Sequence, residues 1–196
     1  IDSIFETVEC IVFDVDDTLY LERDYARSGF FAVGEWLCAN HGIEGFGAAA
    51  WRKFEAGVRD TIFNEVLDDH GVSYDREFIG ELVEVYRSHE PDIELLPDAR
   101  RCLETAAANF HLAALTGGPL ESQQAKVEAL GVEEWFDPLV YAREWGAQYD
   151  KPHPRSFEAL ESRTGYSGNQ LVYLADNPHK DFDAPRKLGW HTIRAR

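Results

Sequence analysis

The sequence predicts an α/β fold: a parallel sheet sandwiched by helices, with a helical insertion after the first strand. Three observations carry that expectation. Short apolar runs alternate with longer amphipathic stretches, as a sheet buried on both faces and its covering helices require. Several of the runs stop at carboxylates, hydroxyls or glycines, residue types suited to the carboxyl ends of parallel strands, where ligands bind. Roughly a hundred residues separate the first run from the second, far more than one βαβ crossover uses.

Residues 10–14 (CIVFD) read as a buried strand that ends in carboxylates. The long sequel has helical period. Trp36 and Leu37 lie on one apolar stripe, Phe54, Val58, Ile62 and Phe63 on a second, and Phe78, Leu82, Val85 and Tyr86 on a third. Aromatic residues at this spacing are expected to be core packing rather than a ligand box. Asp92 to Asp98, with Pro91 and Pro97, marks the return. Residues 20–95 are therefore assigned to the insertion, and residues 1–19 with 96–196 to the α/β core domain. Further strands are expected at 111–116, 138–142, 171–176 and 191–194, and helices at 98–108, 120–130, 155–164 and 182–188. Gly131 and Gly189 fall where helix stops belong.

Composition limits the partners. A formal net charge of −17 argues against nucleic acid or an anionic membrane as a large partner. Most of it is expected to be solvated surface. A small anionic substrate stays admissible, because a bound divalent cation reverses the local field. Cys10, Cys38 and Cys102 are widely spaced and form neither a disulfide framework nor a zinc pattern, which favours a reducing cytoplasm. The apolar run from Ile11 to Phe13 is far too short for a signal peptide or a membrane span. The chain begins at Ile1 and contains no methionine, so targeting segments at its ends stay open, as does oligomeric state.

Four strand ends deliver chemistry to one edge. Asp14-Val-Asp16-Asp17-Thr18 follows the first strand and Thr116-Gly117-Gly118 the second. Asp150-Lys151-Pro152 comes a little beyond the third, and Asp176-Asn-Pro-His-Lys-Asp181 follows the fourth. Each has a plain structural reading when taken alone: aspartate and threonine cap helices, Gly-Gly-Pro makes turns, and a single lysine is usually solvated. Their joint order along the chain is what selects a function.

With these motifs the chain resembles the haloacid dehalogenase-like superfamily. The resemblance rests on Ile-Val-Phe-Asp14-Val-Asp16-Asp17-Thr18-Leu, Thr116 after its apolar strand, Lys151 in Lys-Pro-His-Pro, and the Asp176/Asp181 pair. It implies a Rossmann-like core and makes the insertion a helical cap. It also implies a phosphatase that uses Asp14 as nucleophile and holds Mg²⁺ through the Asp14 carboxylate, the Asp16 backbone carbonyl, the Asp176 carboxylate and, directly or through water, Asp181. Lys151 would offset the charge of nucleophile and phosphoryl group, and the Thr116 hydroxyl and Gly117 amide would cradle phosphoryl oxygens. An aspartyl-phosphate would split the hydrolysis into two steps. Asp16 would protonate the leaving alkoxide and later deprotonate the attacking water, with neighbouring carboxylates expected to raise its pKa. Family members that cleave carbon–halogen or carbon–phosphorus bonds lack an aspartate there, so Asp16 favours phosphomonoester hydrolysis or phosphoryl transfer between sugar hydroxyls. Asp17 is assigned to a turn or helix cap.

Two departures stand out. Gly117 replaces an asparagine common in the family, and Ala175 replaces a glycine, a mild change unless that position needs positive φ. The cap would read a small phosphorylated substrate (a sugar phosphate, a nucleotide or a cofactor phosphate), with Tyr20, Arg23, Tyr25 and Arg27 near the hinge. Arg23 or Arg27 could pair with a second anionic group, but an arginine here is more often a surface residue balancing Glu22 and Asp24. The alternatives are a phosphomutase, a non-catalytic member of the fold, and a receiver-like phospho-aspartate domain. Against the last stand the Asp14-x-Asp16 motif on the first strand and the long insertion after it.

Overall fold

The computed structural model describes residues 6–195. Among them, β1 (Cys10–Phe13), β2 (His111–Thr116), β3 (Leu139–Tyr141), β4 (Leu171–Ala175) and β5 (His191–Arg194) form one sheet in the order β3-β2-β1-β4-β5. All its neighbours pair in parallel. β1 is central and all four of its residues are buried, which is why its sequence runs apolar without alternation.

The chain divides into two compact units, one comprising the chain up to Glu22 and from Glu94 onward, the other Arg23–Ile93. The second is the helical cap, inserted after β1. It consists of α1 (Glu22–His41, whose first residue belongs to the other unit), α2 (Phe46–Glu55), α3 (Ile62–Asp69) and α4 (Arg76–Ser88). It has a core of its own around Phe30, Val33, Leu37, Phe46, Val66, Leu67 and Leu82. The aromatic stripes pack against this cluster, so they are structural. One stripe needs correction: Phe54 lies on α2 but Ile62 and Phe63 lie on α3, with Val58 in the turn between them. Gly57 breaks the helix there at φ 93°, a conformation that favours glycine. Gly34 lets α1 and α2 approach backbone to backbone, since a Cβ there would lie 2.7 Å from the Gly47 nitrogen.

The return to the sheet is fixed by the Leu96 N–H donating to the Leu19 carbonyl at 2.9 Å. α5 (Pro97–Ala107) begins at the next residue, where proline suits a first helical turn. α6 (Leu120–Leu130) ends at Gly131 in the left-handed conformation, φ 62°. α7 (Arg155–Thr164) follows Lys151. The helix expected at 182–188 is instead two short pieces, α8 (Pro178–Asp181) and α9 (Asp183–Lys187). The Asn177 side chain accepts the His179 N–H and Pro178 opens α8, so the turn starts directly after the fourth strand.

Register brings the strand ends level. Phe13 pairs with Ala114 on one side and Leu174 on the other, and the Asp14 N–H continues the ladder to the Leu174 carbonyl at 2.9 Å. Asp14 therefore stands beside the last residues of β2 and β4, one step short of Thr116 and Asp176. The chain leaves β1 for β2 on one side and later returns to β4 on the other. This is the switch point at which open sheets bind ligands.

Candidate active site

Lys151 is the hub of the first cluster. Its Nζ donates to Asp14 Oδ1 at 2.7 Å and to the Tyr173 hydroxyl at 3.0 Å, and lies 2.8 Å from Asp181 Oδ1. The Tyr173 hydroxyl in turn donates to the Leu115 carbonyl at 3.4 Å. Burial disfavours a charged lysine, but Asp14, Tyr173 and Asp181 outweigh it and hold Lys151 protonated well above its usual range. Asp14 is pushed up to about 7, first by burial and then by Asp181 and Asp16, against the pull of Lys151. Asp176 is half-buried and also raised, by burial and by Asp181 and Asp17. One lysine among several carboxylates leaves the pocket short of positive charge.

A divalent metal fits that shortage. Oxygen atoms of Asp14, Asp176 and Asp181 lie within 4.8 Å of one another. Asp181 is buried; its Oδ1 faces the Lys151 ammonium at 2.8 Å, while its Oδ2 is buried without a hydrogen-bond partner, the condition of a ligand oxygen that awaits a cation. The hard, carboxylate-only donor set suits a magnesium-like ion.

Asp16 stands apart from this group, in a second cluster. Its Oδ1 accepts from Lys126 Nζ at 2.7 Å and from the Tyr20 hydroxyl at 2.5 Å, and its Oδ2 accepts from Gln123 Nε2 at 3.0 Å. The Thr116 hydroxyl donates to Gln123 Oε1 at 2.6 Å, which ties Thr116 to the same network. Neighbouring carboxylates were expected to raise the Asp16 pKa; the structure reverses that sign. Burial acts upward, yet the Lys126 ammonium and the three donors prevail and hold the carboxyl below its usual range.

Gly117 explains its own identity. A Cβ there would meet Asp150 Oδ1 at 2.5 Å and Lys151 Cε at 3.1 Å. Asp150 is held by its Oδ1 accepting the Lys151 N–H at 2.9 Å and its Oδ2 accepting Arg143 Nε at 2.6 Å. The space an asparagine side chain would need at 117 is taken by this carboxylate. Ala175 ends β4 and needs no positive φ, which among described non-glycine residues belongs to Asp17 at 52°. The Asp17 carboxylate accepts the Glu22 N–H at the start of α1, a capping contact. Arg23 pairs with Glu55 at 3.3 Å, both half-exposed, and stacks over Trp51; Arg27 lies over Phe31.

Three partners escaped the sequence reading, Gln123, Lys126 and Tyr173, and Tyr20, expected near the hinge, serves Asp16 instead. The signal for two of them was present. On α6 the buried residues include Gln123, Lys126, Val127 and Leu130, so a glutamine and a lysine occupy positions that helical period reserves for apolar side chains. Tyr173 carried a weaker signal, a hydroxyl within an otherwise apolar central run.

Fold and site together define a class: hydrolases that assemble an aspartate-lined, metal-capable site at the switch point of an open parallel sheet. The family model for haloacid dehalogenase-like hydrolases matches residues 8–189, and the chain belongs to that family. Among curated proteins it is 26% identical to the glyceraldehyde 3-phosphate phosphatase of Methanocaldococcus jannaschii, covering 95% of this chain and 84% of that one. It is 25% identical to the enzyme of the same name from Methanopyrus kandleri, over 96% and 84%. Among solved structures it is similar in fold to the HAD-hydrolase YfnB of Bacillus subtilis bound to magnesium, with TM-score 0.66, 18% identity and coverage of 95% and 86%. The 2-haloacid dehalogenase of Pseudomonas syringae is also similar, with TM-score 0.64, 22% identity and coverage of 95% and 86%. No helix among the described residues is long and apolar enough to cross a membrane.

Proposed function

We propose that this hydrolase removes the phosphoryl group of a small phosphorylated metabolite through an aspartyl-phosphate on Asp14, with Mg²⁺ bound by Asp14, Asp176, Asp181 and the Asp16 backbone carbonyl. The observation that carries the proposal is the buried Lys151 ammonium, within 3 Å of both Asp14 and Asp181 beside a carboxylate cluster that still lacks positive charge. When bound, the cation neutralises phosphoryl oxygens and lets an anionic nucleophile approach them.

The chain's own residues do the rest. Asp14 attacks phosphorus while Lys151 offsets the repulsion between carboxylate and phosphate. The Gly117 amide donates to a phosphoryl oxygen, as does the Thr116 hydroxyl once it turns from Gln123. Asp16, held as a carboxylate by Lys126, takes up a proton from solvent and gives it to the leaving alkoxide, then takes one from the water that attacks the phospho-enzyme. The presence of Asp16 supports phosphoester over carbon–halogen chemistry. The archaeal relatives make glyceraldehyde 3-phosphate the first substrate to try, within a panel of sugar phosphates, nucleotides and cofactor phosphates.

The test is phosphate release from that panel with and without Mg²⁺. Free phosphate supports hydrolysis, whereas isomerised product without phosphate marks a mutase. Asp14→Asn should abolish turnover in a folded protein, and turnover retained in that variant removes the mechanism.

A further inference from the structure

We propose that Lys126 is a positioning residue that acts through Asp16, clamping the acid–base carboxylate from the buried face of α6. The inference rests on the phosphatase reading above and extends it to residues outside the four strand-end motifs. The Lys126 side chain is 4% exposed, and its Nζ stands 2.7 Å from an Asp16 carboxylate that is 20% exposed. A lysine this buried is normally paired, and Asp16 pairs with it here. Tyr20 joins Lys126 on the same oxygen while Gln123 holds the other, so three donors from two segments fix both the position and the plane of the carboxylate. Gln123 also accepts from Thr116, linking the clamp to the phosphoryl cradle.

The chemistry explains why a fixed plane matters. In the first step Asp16, a carboxylate in its clamp, takes a proton from solvent; the Asp14 O–P bond forms, the bond from phosphorus to the leaving oxygen breaks, and that proton passes to the leaving oxygen to give an alcohol. In the second step water attacks phosphorus, the Asp14 O–P bond breaks, and one water proton returns to Asp16. One carboxylate oxygen must therefore meet two different oxygens in turn, and a small displacement of such a group costs rate steeply.

Leaving groups separate this role from simple folding support. A nitrophenyl phosphate has a leaving group that departs without a proton, so its first step does not need Asp16; an alkyl phosphate needs it in both steps. In Lys126→Met, kcat for the alkyl phosphate identified in the panel should fall by up to about 100-fold with little change in KM. The pre-steady-state burst of nitrophenol should keep its rate. Lys126→Arg should restore part of the loss.

Because breaking a buried ion pair can unfold a protein, the Asp16→Asn/Lys126→Met pair is measured beside Asp16→Asn alone, where the charge on both sides is removed. If Lys126 acts through Asp16, the second substitution costs nothing further in the Asp16→Asn background. An equal loss there, or a raised KM with kcat unchanged, overturns the proposal. Wild-type turnover with Lys126→Met indistinguishable from it overturns this inference alone. No phosphate released by the wild type overturns the phosphatase reading, and the inference with it.

Discussion

Lys151 Nζ donates to Asp14 Oδ1 at 2.7 Å across 137 residues of sequence, and both side chains are almost completely buried. The pair joins the segment after β1 to the loop before α7. It sits where Asp181 and Tyr173 also reach the ammonium, so the lysine balances more than one oxygen.

Removing that ammonium should be costly twice over. Lys151→Met leaves Asp14 and Asp181 buried without a cation, and metal-free protein should lose about 3–5 kcal/mol in urea unfolding. Phosphate release should vanish as well. Lys151→Arg should not rescue, because a planar fork cannot replace a compact ammonium among three oxygens at these distances. Turnover by Lys151→Met would take the lysine out of the mechanism.

Stability of the metal-free protein should depend on pH through Asp14. Its pKa is raised from 3.8 to about 7, so the folded state binds this proton more tightly than the unfolded chain. The resulting stabilisation is fully present below about 3.8 and is lost as pH rises through about 7. Melting temperature in chelator should therefore fall between pH values of about 5.5 and 8, and Asp14→Asn should flatten that slope. An unchanged slope in the variant assigns the effect to another group.

Metal should bind the native state and stabilise it. Mg²⁺ at a hundred times its Kd adds about 2.7 kcal/mol to a one-site protein. Calorimetry should show that increment in the wild type and its loss in Asp181→Asn, where an amide replaces the buried carboxylate. Chelation should stop turnover, and Mg²⁺ should restore it. A full Mg²⁺ shift in Asp181→Asn argues against Asp181 as a ligand.

Gly117→Asn restores the residue usual in the family, yet it should harm this protein. The new side chain must displace Asp150 and the Lys151 stem, at a cost of about 1–3 kcal/mol and of lysine placement. Lower kcat with a lower melting temperature is the expected pair of changes. Adding Asp150→Ala should recover part of the stability by emptying that space.

Thiol labelling offers a check on the core. Cys10 is buried in β1, and burial pushes its thiol up to about 12, whereas Cys38 and Cys102 are exposed. A thiol reagent at about pH 8 should modify the exposed pair in the native protein and Cys10 only after unfolding. Fast labelling of Cys10 would contradict the central position of β1.

Much of this molecule was readable before folding was considered. β2, β5, α6 and α7 follow from apolar runs and glycine stops, because strand burial and helical period leave a one-dimensional trace. Asp14, Asp176 and Asp181 were readable as a group, since residues after successive parallel strands must share one edge. The break at Gly57 and the split of the helix after β4 were less legible, because an apolar period can continue across a turn whose two sides face the same core.

The sequence by itself thus determined the order of the elements and which edge carries the carboxylates. Only the tertiary structure decided that Lys126, Gln123 and Tyr20 surround Asp16, and that Asp150 fills the space beside Gly117. The reason is electrostatic and steric. The charge state of a buried carboxylate depends on which donors lie within about 3 Å of it, and those donors arrive from residues 4 to 110 positions away. A strand end announces itself in the chain, but the neighbour of a buried side chain exists only once helix and sheet have docked.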